Sequence, residues 1–257
     1  MRCEFGIIIS YSKANCAKST ALAKINSSDE DAYCALPKYC EDLARNNPGS
    51  TVVLESTSDE GGPRFQRMFV SYSASAIGFG YCQPVLGLDR AHLKTKYKGI
   101  LLSATGVDAN GSLFPLAAAV VDAENDKNWL WFVQLLCPII QQHAPALLAP
   151  QAMTFVSDRQ KGLLESVELV FPDSPHGYCL RHLYDNMYKE FKHPKLKTFL
   201  YQAAKATSEE DFNKALVEME GIHPHAAKWL LDHAHPKHWA ELYFPGHRYI
   251  YTNFNQY

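Results

Sequence analysis

The order of strand-like and helix-like patterns between residues 83 and 170 is the feature that most constrains the fold. Three short apolar runs follow one another closely, and the pair Asn110-Gly favours a tight hairpin between the second and the third. Apolar residues then recur at intervals of three and four, which predicts an amphipathic helix, and another strand and helix follow. The sequence therefore predicts an α/β fold of the order β-β-β-α-β-α, with strands at 85–88, 99–107, 113–121 and 153–157 and helices at 127–142 and 162–170.

The segments on either side of this region have different patterns. Polar helical sequence occupies the N-terminal part, and two strand candidates at 51–55 and 64–72 are separated by a turn rich in Gly and Pro. Beyond Pro175 a short strand at 176–179 leads into a series of helical stretches. We expect four regions: a helical and β-hairpin adapter at 1–80, an α/β core at 81–178, an all-helical insertion at 179–240 and a return segment at 241–257.

Two aspartates end apolar strands of the predicted core. Asp89 follows the first strand and Asp158 follows the fourth, and the two carboxylates converge if these strands are neighbours in the sheet. Carboxylate oxygens are the ligands that Mg²⁺ prefers in proteins. Two such ions can activate a water or a 3′-hydroxyl and stabilise the leaving oxygen of a phosphoryl transfer. The alternative is that each aspartate caps the segment that follows it.

Basic residues lie close to both aspartates in the sequence. The net charge of −2 gives no overall cationic field, so nucleic-acid binding needs local basic patches. Lys94, Lys96 and Lys98 alternate at strand spacing and form one candidate stripe for phosphate contacts, although solvated lysines guarding a sheet edge fit the pattern nearly as well. Arg159 and Lys161 flank the second aspartate and either contact a DNA backbone or balance local acids.

Cysteines and histidines suggest a metal only weakly. Cys179 and His182 are three residues apart, so on a helix they share a face, as zinc ligands can. Only two of four ligands are visible, and a buried cysteine packed beside a hydrogen-bonded histidine is the simpler interpretation. The seven scattered cysteines argue against a disulfide framework, and no apolar run is long enough to cross a bilayer. Five further histidines match no standard site and favour a histidine-rich helical surface: His223, His225, His233, His235 and His238.

Several ordered motifs resemble those of Mutator-like element (MULE) transposases. Asp89-Arg-Ala-His-Leu-Lys is similar to the first-acid segment of that family, D-x-x-H-L-K, and Ser157-Asp-Arg-Gln-Lys-Gly reproduces the second-acid segment. Tyr178-Cys-Leu-Arg-His-Leu carries the C-x-x-H motif that opens a helix in the family. Trp129 and the segment that begins at His238 are also similar, so the resemblance spans nearly the whole chain.

This resemblance implies an RNase H-like catalytic core of the DDE type, in which Asp89 and Asp158 hold Mg²⁺ or Mn²⁺ for two-metal chemistry. The implied partners are transposon terminal repeats and target DNA, the implied compartment is the nucleus, and assembly as a homo-oligomer is compatible with this class. His92, three residues beyond the first acid, either orients a phosphate or that acid, or faces solvent.

The chain departs from the family pattern at two places. Arg90 stands where the family usually has glycine, and we expect it to pair with Asp89 or to reach a DNA phosphate. The third acid of the family is expected at or just beyond Tyr257, with Glu241 the nearest acid before it. We therefore expect either a transposase core, active or truncated and inactive, or a domesticated, non-catalytic DNA-binding or transcription-regulating protein on the same scaffold. An RNase H-like nuclease, which would cleave without strand transfer, is a third interpretation.

Overall fold

A computed structural model describes residues 10–25, 29–59, 62–94 and 97–246. The chain divides into two compact units, residues 1–46 and 47–257. The first unit contains helix α1 (Tyr11–Ile25) and helix α2 (Asp29–Asn46), as the polar helical pattern predicts. Within the described residues, no helix is long and apolar enough to span a membrane.

The second unit is built on a mixed sheet that contains seven strands in the described part of the chain. Its spatial order is β1-β2-β5-β4-β3-β6-β7. The first five strands in this order are antiparallel to their neighbours, whereas β6 is parallel to β3 and β7 is parallel to β6. The strands are β1 (Thr51–Asp59), β2 (Gly62–Ser71), β3 (Gln83–His92), β4 (Ile100–Val107), β5 (Leu113–Val121), β6 (Thr154–Ser157) and β7 (His176–Tyr178).

Helices cover this sheet and extend beyond it. Three of them alternate with the strands: α3 (Ser73–Phe79), α4 (Asp126–His143) and α5 (Lys161–Val170). Four more follow β7: α6 (Leu180–Phe191), α7 (Leu196–Lys205), α8 (Glu209–Ile222) and α9 (Ala226–His233). Short 3-10 helices occupy Pro145–Leu148, Pro236–His238 and Glu241–Tyr243.

Two separate apolar cores hold these elements together. The apolar stripe predicted on α4 is buried against the sheet, with Trp129, Phe132, Val133 and Leu136 each at most 1% exposed. Helices α6 to α9 pack around a second core of their own, which includes the fully buried Met187, Leu200 and Trp239. Burial of this much apolar surface explains why the helices after β7 form a compact group instead of lying singly on the sheet.

The predicted order of core elements is confirmed, because β3, β4, β5, α4, β6 and α5 follow one another as expected. The Asn110-Gly hairpin joins β4 to β5, and Gly111 adopts the positive φ of 81° that such a turn requires. The β1–β2 hairpin, predicted as part of an adapter, adds to the same sheet by pairing with β5. The boundaries of the four predicted regions stay a prediction.

Helix α5 begins at a very close approach to helix α4. A Cβ atom added to Gly162 would lie 2.8 Å from the Cα of Asp126 and would overlap the carboxylate of that residue. The side chain of Gln160, the N-cap of α5, also donates to Asp126 Oδ1 at 3.3 Å. Only glycine allows the two helix starts to meet at this distance.

Replacing Gly162 by alanine is therefore expected to destabilise the protein by about 1–3 kcal/mol, because the overlap outweighs the better helix propensity of alanine. The free energy of unfolding is measured by chemical denaturation. Gly221→Ala in α8 is the matched control, since nothing lies within 4 Å of an added Cβ there. If the unfolding free energies of Gly162→Ala and Gly221→Ala agree within experimental error, the close approach of the two helices is contradicted.

Candidate functional site

The two aspartates lie where the pairing between β3 and β6 ends. The last parallel pair is Gly87 with Val156, and each aspartate lies two residues beyond its member of that pair. Strand β3 continues to His92 because it stays paired with β4. Asp89 therefore lies within the strand, whereas the sequence pattern had placed it after the end of the strand. Asp158 follows the last residue of β6. The two strands are neighbours, as predicted, and this brings both aspartates to one point at the edge of the sheet.

Both aspartates line one open cleft with a volume of about 780 Å³. Part of its wall comes from β3, part from the start of α5 and part from α6. The remaining lining residues are mostly basic, aromatic or amide-bearing: Arg90, His92, Arg159, Gln160, Leu164, Tyr178, His182, Asn186, Lys189 and His233. A pair of carboxylates surrounded by cations is an arrangement that can hold a metal ion or a phosphate-bearing ligand at the same place.

Asp158 is fixed by the turn that enters α5. Its Oδ1 accepts a hydrogen bond from the backbone N–H of Gln160 at 3.1 Å, so the capping role that was the alternative for this residue is partly present. The hydroxyl of Ser157 lies 2.7 Å from the carbonyl oxygen of Asp158 and 2.8 Å from Nε2 of His176. Since these contacts hold the turn, the second oxygen of the carboxylate is presented towards the cleft at a defined position.

Asp89 lies beside the histidine of the C-x-x-H motif. Nε2 of His182 is 3.9 Å from Asp89 Oδ1, and the two side chains are 31% and 28% exposed. Burial opposes ionisation of Cys179, yet its contact with His182 outweighs this and lowers the pKa of the thiol. The same contact raises the pKa of His182 against its own burial, and the two aspartates add to the rise. The buried Nδ1 of His182 makes no well-aligned hydrogen bond within the described residues. The contact between Cys179 and His182 is therefore described as electrostatic.

Arg90 contacts two carboxylates in the structure, and its predicted contact with a DNA phosphate stays a prediction. Its Nη1 lies 2.7 Å from Oε2 of Glu124, and its Nε lies 3.8 Å from Oδ2 of Asp158. The other oxygen of Glu124 accepts a hydrogen bond from Nε1 of Trp129 at 3.3 Å. Sequence reasoning missed Glu124, because an acid directly before the N-cap of α4 is an ordinary helix-start residue. His92, a predicted orienting residue, contacts Arg90 through Nε2 at 3.2 Å.

The predicted basic contacts divide into two groups. Arg159 lines the cleft and donates to the carbonyl oxygen of His233. Lys161 is exposed, pairs with Glu165 at 3.6 Å and lies outside the cleft lining, as does Lys94. Lys96 lies outside the described residues.

The prediction of a lysine stripe on one strand face is wrong for the lysines that the structure describes. Strand β3 ends at His92, and Lys98 adopts a left-handed φ of 56° in the connection to β4. A stripe needs continuous extended backbone, because only that backbone alternates side chains between two faces.

The zinc alternative gains no support from the described residues, among which no three His, Cys, Asp or Glu side chains are placed to hold a metal. Rings of the late histidines are engaged with aromatic neighbours, for example His233 with Trp229 and His238 with Tyr178. Glu241 begins a 3-10 helix outside the cleft lining. The region expected to precede the third acid, residues 247–257, lies outside the described residues.

His176 is a half-buried titratable group next to Ser157, the residue before Asp158. Burial lowers its pKa to about 3, and the charge of His238 adds to this effect. Between pH 6.5 and 3 the unfolded chain binds a proton at this position that the folded chain does not. Stability is therefore expected to fall as the pH drops below 6.5, by up to about 1.4 kcal/mol per pH unit from this group.

The expected result for His176→Gln is a flatter dependence of unfolding free energy on pH between 6.5 and 4. Glutamine keeps a hydrogen-bonding partner for Ser157 but does not titrate. Denaturation curves at several pH values measure the slope, with exposed His225→Gln as control. Equal slopes for the wild type and His176→Gln would show that His176 does not stay neutral in the folded chain.

Comparison with known proteins connects this site to a family. Residues 85–186 match the family model described as MULE transposase domain. The chain is 22% identical over 229 residues to Protein FAR1-RELATED SEQUENCE 6 of Arabidopsis thaliana, covering 82% of this chain and 30% of that protein. It is 20% identical over 158 residues to Protein FAR-RED IMPAIRED RESPONSE 1 of Arabidopsis thaliana, covering 62% and 18%.

The chain thus spans less than a third of the length of these two relatives. The segment matched to the family contains both aspartates, Arg90 and His182, which all line the cleft. Residues 85–186 are therefore similar to the MULE transposase domain, and this similarity includes the two aspartates of the cleft.

Proposed function

We propose that residues 81–178 are the RNase H-like core of a DNA transposase, in which Asp89 and Asp158 hold Mg²⁺ or Mn²⁺ for phosphoryl transfer. The observation that carries this proposal is the meeting of the two aspartates in one basic-rimmed cleft, at the end of the parallel pairing between β3 and β6. The match to the MULE transposase domain supports it, because that match covers both strands and both acids.

The donor set suits a hard cation that keeps several waters, since the cleft offers carboxylate oxygens from two strands. When bound, the metal would activate the attacking oxygen and stabilise the leaving one. The chain's own residues have the supporting roles. The N–H of Gln160 orients Asp158, and the imidazole of His182 lies beside the carboxylate of Asp89, with 3.9 Å between Nε2 and Oδ1. The third acid of a DDE site is proposed to come from outside the described residues.

Cations on the cleft rim are proposed to bind the DNA backbone. Arg159 and Lys189 both line the cleft that contains the two aspartates, and cationic side chains are suitable contacts for backbone phosphates. Lys94 and Lys161 remain proposed contacts outside the cleft lining, and Lys96 remains a proposed contact. The substrates would be transposon terminal repeats and target DNA in the nucleus, and strand joining at two ends would require assembly of more than one copy.

A second function is favoured by Arg90. Its guanidinium lies beside Asp158, where a catalytic site would place a divalent ion. The relatives support the same alternative, because the name of one of them refers to an impaired response to far-red light and not to transposition. This second candidate is a domesticated, non-catalytic protein that uses the scaffold to bind DNA and regulate transcription.

Mn²⁺ binding separates the two functions. Calorimetry is expected to show binding by the wild-type chain that is lost in the double variant Asp89→Ala, Asp158→Ala, because the ligands are removed. The control is Glu165→Ala, Asp232→Ala, which removes the same charge from exposed acids outside the cleft.

Binding that is equal in wild type and both variants, or absent from all three, would overturn the catalytic proposal and favour the DNA-binding one. Where binding depends on the aspartates, an oligonucleotide assay with Mn²⁺ follows. Cleavage together with strand transfer supports a transposase, whereas cleavage alone indicates an RNase H-like nuclease.

DNA affinity is expected to depend on the cleft cations. Affinity falls with salt, and the double variant Arg159→Ala, Lys189→Ala should make the slope of log affinity against log salt less steep by about 2, since two phosphate contacts are lost. Fluorescence anisotropy over a salt series measures it. Lys214→Ala, Lys228→Ala has the same charge change outside the cleft lining and serves as control. An equal loss in both variants would show that net charge, and not the cleft, determines binding.

A further inference from the structure

Arg90 is anchored more firmly than a surface arginine. Its partner Glu124 is only 15% exposed and is itself held by Nε1 of Trp129. A half-buried carboxylate without a cation would be costly, because burial removes much of its hydration. The 2.7 Å contact between Nη1 of Arg90 and Oε2 of Glu124 therefore fixes the guanidinium at one position in the cleft wall.

The anchored guanidinium also faces one of the two proposed metal ligands. Nε of Arg90 lies 3.8 Å from Oδ2 of Asp158, the oxygen that does not accept the N–H of Gln160. A guanidinium keeps its charge at every pH at which the protein is folded. Asp158 thus has a permanent positive neighbour, and the same neighbour would repel any divalent ion that approached this carboxylate.

We propose that Arg90 is a built-in counter-ion of Asp158, which competes with divalent cations and so sets the affinity of the site for them. This inference rests on the proposed function, since it takes Asp89 and Asp158 as the ligands. A divalent ion must draw Oδ2 of Asp158 away from the guanidinium, and Glu124 prevents the guanidinium from moving aside. The site of this chain is therefore a weak cation site, held partly neutral by its own side chain.

The test is Mn²⁺ calorimetry on the full chain with Arg90→Gln. Removing the competing charge is expected to tighten Mn²⁺ binding at least tenfold, an order-of-magnitude figure for a unit charge this close to a partly exposed site. Arg90→Lys keeps the charge and should bind Mn²⁺ with an affinity close to that of the wild type. If Arg90→Gln binds Mn²⁺ no more tightly than the wild type, the inference is overturned.

Arg181→Gln is the matched control for loss of one positive charge. Arg181 also pairs with a carboxylate, Asp185, at 3.7 Å, but it lies outside the cleft lining. Its replacement is expected to change Mn²⁺ affinity less than about twofold, because its charge is more exposed and screened. A gain equal to that of Arg90→Gln would show that net charge alone is responsible and would overturn the inference.

Because Arg90→Gln leaves Glu124 without its cation, thermal unfolding is recorded for each variant. Arg90→Met serves as the charge-removing variant if Arg90→Gln unfolds at a lower temperature than the wild type.

The triple variant Arg90→Gln, Asp89→Ala, Asp158→Ala separates the inference from the proposed function. A gain that disappears in the triple variant supports Arg90 as competitor, even where the wild type binds no Mn²⁺ and the catalytic proposal fails. Aspartate-dependent binding by the wild type without a gain in Arg90→Gln leaves the proposed function standing and overturns the inference alone.

Discussion

The parallel pairing of β3 with β6 is the interaction on which the site depends. Three residue pairs, from Val85–Thr154 to Gly87–Val156, bring the two strands together as the fifth and sixth strands of the seven-stranded sheet. One residue of slip would turn every side chain of β6 to the opposite face, because side chains alternate along a strand. Packing on the two faces fixes the register, since Leu86 and Phe155 belong to the large apolar cluster whereas Val85 and Val156 belong to a separate, smaller one. The two carboxylates meet because a hydrophobic core holds their strands in one alignment.

The sequence predicts much of this arrangement because its signals are local. Apolar periodicity on α4 and the Asn110-Gly turn depend on residues close together in the chain, and both predictions are confirmed. The prediction that the first and fourth core strands are neighbours also holds. Strand β3 proved longer than predicted, because its polar end is stabilised by pairing with β4 and not by apolar character.

Side-chain contacts between segments distant in the chain could not be predicted from the sequence. Glu124 lies far from Arg90 in the chain, and nothing in the intervening pattern indicates their ion pair. The lysine stripe failed for a related reason, because a left-handed residue in the connection after β3 interrupts the alternation that was assumed. His176 was not identified either, since its burial follows from the packing of β7 beside β6. The roles assigned to the aspartates and to the divalent ion remain proposals.

The β3–β6 pairing also has a consequence for how the protein folds. Strands β4 and β5 and helix α4 lie between these two strands in the chain, so the pairing closes a long loop, whereas the β4–β5 hairpin closes a short one. Long-range parallel contacts form slowly, because the entropy of ordering the intervening chain is lost before the contact stabilises anything. The cleft is therefore expected to be among the last features assembled during synthesis, and partly folded chains would expose the apolar edge of β3 to aggregation.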